Sequence, residues 1–373
     1  MKPMVIDVVA ARPNFVKMVP VIEALNEYDD LRQLVVHTGQ HYDKRMSEDV
    51  LADLCIPTPD IHLEVGSGTH GQQTGRTLMA FEQVLIDERP DLVVVAGDVN
   101  ATVACAFAAV KLGIPVAHVE SGLRSWDWSM PEEINRIVTD RLSTLLFTHS
   151  PEAEPNLVAE GIPAERVHYV GNTMIDSLRR ALPQALKRAA WERFAVERYS
   201  YVLATLHRPS NVDQPDQLRR IVASLAQLAA EGVPIVFPIH PRTVTLLRQS
   251  GCFDQLVSAG VRCSEPLGYL DFLSLEAGAG AILTDSGGLQ EESTALGVRC
   301  YTLRPNTERP VTVSLGTNVM LGDDPEAILK VRPTGRPPVS RTIPLWDGGA
   351  GKRIARVVSD ALVLQSDVVW AAT

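Results

Sequence analysis

The sequence predicts an α/β protein built of two doubly wound parallel-sheet domains, and three observations point there. Short apolar, β-branched runs alternate with longer stretches of helical spacing, the pattern of βαβ units whose parallel strands are covered on both faces. The alternation occurs in two series, separated by a helical stretch rich in Ala, Arg and Lys over 175–198. The length of 373 residues accommodates two domains at roughly 100–200 residues each. They are expected over 1–174 and 175–349.

In the first series the strand candidates are MVIDVVA (4–10), LVVHT (34–38), LVVVAGD (92–98), IPVAHVE (114–120), LLFTH (145–149) and VHYVG (167–171). Helical spacing between them shows in Val19, Ile22 and Leu25, and again in Leu78, Phe81, Val84 and Leu85. The second series reads YVLATLH, PIVFPIH, VRCSEP, AILTDSG, VRCYTL and TNVML, each followed by a turn and a helical stretch. A last amphipathic segment over 350–365 carries Ile354, Val357, Val358 and Leu362.

Composition narrows the function classes. Hydrophobic residues make up 45% and charged residues 21% of the chain, an ordinary globular balance. Lys and Arg number 35 against 45 Asp and Glu, a net charge of −10. That balance argues against a nucleic-acid or anionic-membrane surface, so an anionic ligand must be held by local features. The five cysteines (Cys55, Cys105, Cys252, Cys263 and Cys300) form no CxxC pair, and an odd count is a poor disulfide framework. Free thiols in a reducing compartment are expected. The apolar run at the N-terminus is too short for a signal peptide, and no stretch approaches the ~18–20 apolar residues of a membrane span. A cytoplasmic protein is expected.

Open doubly wound sheets bind ligands outside the carboxyl ends of their strands, so the informative residues should follow the apolar runs. In AILTDSGGLQEESTALG (281–297) a strand runs into Asp285-Ser286-Gly287-Gly288 and then into a helix. Two glycines at a helix start let phosphate oxygens approach backbone N–H groups. The same letters also describe a tight turn with Ser286 as N-cap. Glu291 and Glu292 lie one turn further in, where a carboxylate suits the hydroxyls of a ribose and a second one covers the helix. Arg304 and Arg309 follow in YTLRPNTERP, either as an anion clamp or as partners of Glu291 and Glu308.

Three acids follow strand or turn signals in the first half: Asp98, Glu120 and Glu132. Asp98 could cap the helix beginning near Ala101, and Glu132 completes a capping box with Ser129. Glu120 leaves a buried strand for Ser-Gly-Leu-Arg and has no helix to cap. Three such acids facing a nucleotide-phosphate site point to proton transfer on a sugar. Arg12 and Lys17 follow the first strand, His207 and Arg208 close YVLATLH, and His240 closes PIVFPIH. No Cys/His spacing reads as zinc and no acidic pair as magnesium, so no metal is expected.

These motifs, taken in order, resemble the non-hydrolysing UDP-N-acetylglucosamine 2-epimerases, of the two-Rossmann-domain glycosyltransferase-B fold. The resemblance runs through ARPNFVKMVP, TGQHYD, GDVNAT, HVESGLRS, MPEEINR, GNTMID, LHRPSN, PLGYLDFLSL, TDSGGLQEES and RPNTERP, over residues 11 to 310. It implies two domains facing across a cleft, with the terminal stretch 350–373 crossing back to the first. It implies Asp98, Glu120 and Glu132 as catalytic acids and His207 as a catalytic or phosphate-side histidine. Arg12 and Lys17 would meet the diphosphate and sugar, with His240 and Arg309 also in the site. Ser286, Gly287 and Gly288 would hold the diphosphate, Glu292 the ribose, and Phe272 would stack on the uracil.

The activity implied is interconversion of UDP-GlcNAc and UDP-ManNAc. UDP is eliminated to give a 2-acetamidoglucal, and then adds back. The ligands implied are a UDP-sugar and UDP, with no cofactor, and the assembly implied is a homodimer. Departures from the family pattern touch the sugar: Asn14 replaces a glutamate, and Pro209 and Ser210 replace an arginine and a glutamate. Relatives with such features act on other UDP-sugars, including 2,3-diacetamido-uronates. A hydrolysing epimerase and a glycosyltransferase of the same fold are the rivals. Family members are commonly activated by a second UDP-GlcNAc. Here Gln40 and His41 match the activator segment, but Asp43 and Pro209 depart from it.

Overall fold

The computed structural model describes residues 2–10, 12–39, 58–335 and 343–365. The chain forms two compact units, Met1–Ser177 with Pro344–Thr373, and Leu178–Ile343. The division falls inside the helix Thr173–Arg188. Residues 344–349, expected with the second half, are tied to the first unit. Tyr169 Oη donates to the Pro344 carbonyl at 2.5 Å and Trp346 Nε1 donates to the His149 carbonyl at 2.7 Å.

The first unit carries a seven-stranded sheet of β1 (Met4–Val9), β2 (Arg32–His37), β3 (Ile61–His62), β4 (Leu92–Ala96), β5 (Val116–Ser121), β6 (Leu145–Thr148) and β7 (Val167–Tyr169). Its order is β3-β2-β1-β4-β5-β6-β7, parallel throughout. Every residue of β1, β4, β5 and β6 is buried, because helices cover both faces. One layer packs Phe15, Met18 and Ile22 of the helix Arg12–Leu25 with Ile354, Val358 and Leu362 of the helix Ala350–Gln365. The opposite layer brings Phe81 and Leu85 together with Cys105, Ala106 and Ala109.

The second unit repeats the scheme with six parallel strands. They are β8 (Val202–Thr205), β9 (Ile235–Pro238), β10 (Arg262–Ser264), β11 (Ala281–Thr284), β12 (Cys300–Thr302) and β13 (Asn318–Met320), ordered β10-β9-β8-β11-β12-β13. In both sheets the strand order reverses beside the first strand of the unit. The two switch points, where doubly wound sheets hold ligands, are the carboxyl ends of β1/β4 and of β8/β11. All twelve strand candidates of the sequence fall on observed strands; the two-residue β3 was missed.

Among the described residues no helix is long and apolar enough to cross a membrane. Cys105, Cys252, Cys263 and Cys300 are free thiols, and burial pushes the Cys263 thiol up to about 11. Cys55 lies outside the described residues.

Candidate active site

At the switch point of the first unit, the helix Arg12–Leu25 leaves β1 and presents Lys17 beside the exits of β4 and β5. Lys17 Nζ stands 2.6 Å from Glu120 Oε2, and both side chains are nearly sealed from solvent, at 9% and 5% exposure. Asn14, which replaces the glutamate of the family pattern, donates from Nδ2 to the Ala96 carbonyl at 2.7 Å and ties that helix to β4. Gly97 follows at φ +67°, and a Cβ there would sit 3.0 Å from Lys17 Nζ. The positive φ favours glycine, and a side chain there would also press on Lys17. The side chain of Arg12 lies outside the described residues.

Glu120 adopts φ +67° without being glycine, and the pairing of β5 with β6 shifts register between Val119 and Ser121. A left-handed residue with a Cβ costs roughly 1–2 kcal/mol, and such outliers cluster where a side chain must be aimed.

Asp98 accepts from Arg136 Nη2 at 2.6 Å, and its carbonyl accepts from Asn135 Nδ2 at 2.9 Å. It does not cap the following helix, whose N-cap is Val99. The capping box expected of Ser129 and Glu132 is also absent. Met130 occupies the N-cap of the helix Pro131–Leu142 with no side-chain bond, and Ser129 Oγ donates to Asp127 Oδ1 at 2.6 Å instead. Glu132 is exposed, while its neighbour Glu133 is sealed at 0%. Glu133 accepts from the N–H groups of Ser125 and Trp126 and from Ser125 Oγ at 2.8–3.1 Å. Arg136 bridges Glu133 and Asp98.

Behind Glu120 lies a buried polar chain. Asp140 Oδ1 is 2.7 Å from His118 Nδ1, and His118 Nε2 is 2.8 Å from the Gly97 carbonyl. Asp140 Oδ2 accepts from Gly122 N–H at 3.1 Å and from Arg124 Nη1 at 2.7 Å. Arg124 makes a two-pronged pair with Glu160 at 2.6 and 2.7 Å. Burial alone would raise the Asp140 carboxyl; the contacts with His118 and Arg124 outweigh it and hold the group below the ordinary carboxylate range.

The switch point of the second unit is organised by Asp285, fully buried at the end of β11. Its carboxylate accepts from the N–H groups of His207 and Arg208 and from Asn211 Nδ2, all near 3.0 Å, and lies 3.1 Å from His207 Nδ1. Burial pushes this carboxyl up, but the His207, Asn211 and Arg208 bonds hold it below its usual value. The loop after β8 is thereby locked to the turn Ser286–Gly288, where the helix Gly287–Leu296 begins. Ser286, Gly287 and Gly288 remain half-buried. Ser286 sits at the N-cap without a side-chain cap bond, which leaves its hydroxyl out of the helix's own capping.

Arg309 does not stand open as a clamp: Nε is 3.0 Å from Glu291 and Nη1 2.7 Å from Glu308. Arg304 and Arg208 converge on the same Glu308, at 2.8 and 3.6 Å. Burial would raise Glu308, yet Arg309 and Arg304 pull it far below the carboxylate range. A Cβ at Gly287 would press on the Arg309 guanidinium, which Glu291 and Glu308 hold in place. Glu292 is 8% exposed. Beside it lies Glu276, sealed at 1%, with neither carboxylate oxygen hydrogen-bonded among the described residues; burial and then the Glu292 charge push it well above its usual value. Phe272 is partly buried against the core of this unit. His240 is exposed and caps the helix Pro241–Gln249, Nδ1 accepting from Arg242 N–H at 3.3 Å.

The structure therefore gathers Lys17, Asp98 and Glu120 in one unit and His207 with the Ser286–Gly288 turn in the other. Sequence reasoning missed Asp285, Asn211, Glu133, Arg136, His118 and Asp140 as organisers. Asp285 obeyed the strand-exit rule and could have been found. His118 lies on β5 and Asp140 near the end of the next helix, 22 residues on, and they leave no local signal. Gln40, His41 and Asp43 lie outside the described residues.

The family model described as UDP-N-acetylglucosamine 2-epimerase matches residues 23–359. A UDP-N-acetylglucosamine 2-epimerase of Methanocaldococcus jannaschii is 43% identical over 359 residues, covering 94% of this chain and 98% of that one. A UDP-2,3-diacetamido-2,3-dideoxy-D-glucuronate 2-epimerase of Pseudomonas aeruginosa is 40% identical, covering 95% and 99%. The crystal structure of the M. jannaschii UDP-GlcNAc 2-epimerase in complex with UDP-GlcNAc and UDP superposes with a TM-score of 0.87, covering 96% of this chain and 99% of that one at 42% identity.

Proposed function

The chain belongs to the UDP-N-acetylglucosamine 2-epimerase family, and we propose that it interconverts UDP-GlcNAc and UDP-ManNAc without hydrolysis. The observation that carries this reading is the Lys17–Glu120 pair at the carboxyl end of β5, with Asp98, held by Arg136, just beyond the end of the neighbouring β4. Carbon 2 of the sugar has no adjacent carbonyl, so its proton is not acidic and direct deprotonation is barred. Elimination removes the difficulty. A carboxylate takes the proton from carbon 2, the bond from carbon 1 to the diphosphate oxygen breaks, and the electron pair of the C–H bond forms the double bond of a 2-acetamidoglucal. Protonation of carbon 2 from the opposite face and return of UDP to carbon 1 complete the inversion.

The reaction needs carboxylates that exchange protons and an anion cradle for the departing UDP. Asp98, Glu120 and Glu132 supply the first. The helix N-terminus at Ser286–Gly288 with His207 supplies the second, Glu292 takes the ribose and Phe272 the uracil. Arg309, held by two glutamates, supports the turn and does not touch the phosphates; His240 acts beside His207 as a cap. The 40% identical relative named for a diacetamido-glucuronate makes that sugar the second reading.

Both sugars are therefore offered in heavy water and the products followed by proton NMR. UDP-ManNAc carrying deuterium at carbon 2 is the expected result. Free sugar with UDP would replace the proposal by hydrolysis, and turnover of the uronate alone would replace the substrate.

A homodimer fits the exposed apolar side chains Met79, Ile86, Phe107, Ile134 and Val138 on three successive helices of the first unit, a patch of the kind that marks interfaces. Light scattering giving twice 40.7 kDa is the expected result, and a monomer would end this part.

A further inference from the structure

The helix Pro131–Leu142 does more than deliver Glu132. Glu132, Arg136 and Asp140 recur every four residues, so they lie within a stripe of about 80° on one face. Arg136 reaches Asp98 directly. Asp140 reaches the chain on both sides of Glu120: the backbone N–H of Gly122 donates to Oδ2 at 3.1 Å, and the ring Nδ1 of His118 lies 2.7 Å from Oδ1. His118 passes the constraint on, its Nε2 standing 2.8 Å from the carbonyl of Gly97, the residue before Asp98. The segment so gripped is strained. Glu120 is left-handed, the β5–β6 register slips around it, and Gly122, at φ +79°, has no room for a Cβ beside the Ala153 carbonyl. A backbone in such a conformation persists only when its surroundings over-determine it.

We propose that Asp140 is the positioning residue for the two strand-borne carboxylates, fixing Glu120 through Gly122 and His118 and fixing Asp98 through His118 and Gly97. The packing supports this. Asp140 and Glu160 both pair with Arg124, and the Arg124 and Asp140 side chains are wholly enclosed. The His118 ring spans Asp140 Oδ1 and the Gly97 carbonyl. Loss of the carboxylate removes the oxygen that Gly122 N–H and Arg124 Nη1 share, and an amide in its place carries no charge to answer the enclosed guanidinium. The proposal rests on Asp98 and Glu120 being catalytic; Asp140 itself touches no reacting atom.

The test compares Asp140→Asn and His118→Gln with Asp98→Asn and Glu120→Gln. Turnover is expressed per UDP-binding site counted by calorimetry, so that misfolded chain does not enter. A displacement of about 1 Å at a catalytic group costs on the order of 100-fold. Asp140→Asn is expected to lower kcat by about that factor, with KM and the Kd for UDP within threefold of the native values. His118→Gln is expected to lower kcat at least tenfold, and the double variant to be no worse than Asp140→Asn alone, because both act through one chain of bonds. A role in folding alone would lower the melting temperature and the number of sites while leaving kcat per site unchanged, and that result overturns the proposal. If Asp140→Asn does not fold, His118→Gln decides, native kcat refuting the idea. Native turnover in Asp98→Asn and Glu120→Gln would instead remove the functional reading on which it rests.

Discussion

Asp7 sits in the middle of β1 with no exposure, where a doubly wound sheet ordinarily carries an aliphatic side chain. Gln33 Nε2 donates to Oδ2 at 2.6 Å and also reaches the Ile22 carbonyl at 3.1 Å, so the Gln33 amide ties β2 to the Asp7 carboxyl of β1 and to the neighbouring helix. Oδ1 has no partner. Burial outweighs the Gln33 bond and raises the carboxyl from 3.8 to about 7. The folded chain therefore holds this proton through a range in which the unfolded chain has released it. Stability falls as pH rises from about 4 to about 7, because the native state binds more protons there. With ~1.4 kcal/mol per pKa unit, the penalty is about 2 kcal/mol at pH 5 and about 4 kcal/mol at pH 8, a difference of roughly 2.5 kcal/mol. Asp7→Asn removes the titration. Its new N–H group, set where Oδ1 is, lacks an acceptor and costs ~1–3 kcal/mol at every pH. Urea unfolding of both chains at pH 5 and pH 8 isolates the effect. Between those values the native chain should lose about 2–3 kcal/mol relative to Asp7→Asn. A stability difference that is the same at both pH values would refute the reasoning.

Other outcomes follow from the two switch points. Asp98→Asn, Glu120→Gln and Glu132→Gln should each reduce turnover by about 10²–10⁴-fold while UDP still binds; near-native turnover in all three would show the wrong carboxylates were chosen. Asp285→Asn takes away one of two acceptor oxygens shared by three donors, the N–H groups of His207 and Arg208 and Asn211 Nδ2. At ~1.5–3 kcal/mol for a charged hydrogen bond, the His207–Arg208 loop should loosen and UDP affinity fall more than tenfold by calorimetry, an unchanged Kd counting against the assignment. Because that carboxyl is held low, its contribution is present above the ordinary carboxylate range and is lost as pH falls below it. Pro209, which opens a short helix after Arg208, offers no guanidinium to an activating nucleotide. Rate curves should therefore be hyperbolic in UDP-GlcNAc, and a sigmoidal curve would contradict this.

The sheets were legible because their signal is local. A strand such as Leu92–Ala96 is buried on both faces and must be continuously apolar, so its letters alone mark it, and the strand-exit rule then points to Asp98, Glu120, His207 and Ser286. Ile61–His62 escaped because two residues are too few to carry a period. Side-chain partners were a different matter. Glu132 and Glu133 are adjacent and identical in type, and the sequence favoured the first as a cap. Helix rotation instead leaves Glu132 exposed and buries Glu133 under the N–H groups of Ser125 and Trp126. Arg309 read equally well as a phosphate clamp or an ion-pair partner until the fold placed Glu291 and Glu308 within 3.0 Å of it. Sequence by itself determined the parallel sheets and where their strands end, since hydrophobic period and turn chemistry are properties of neighbouring residues. Only the tertiary structure decided which charges are satisfied, because the bonds joining His118 to Asp140 or Asp285 to His207 depend on the packing of elements far apart in the chain.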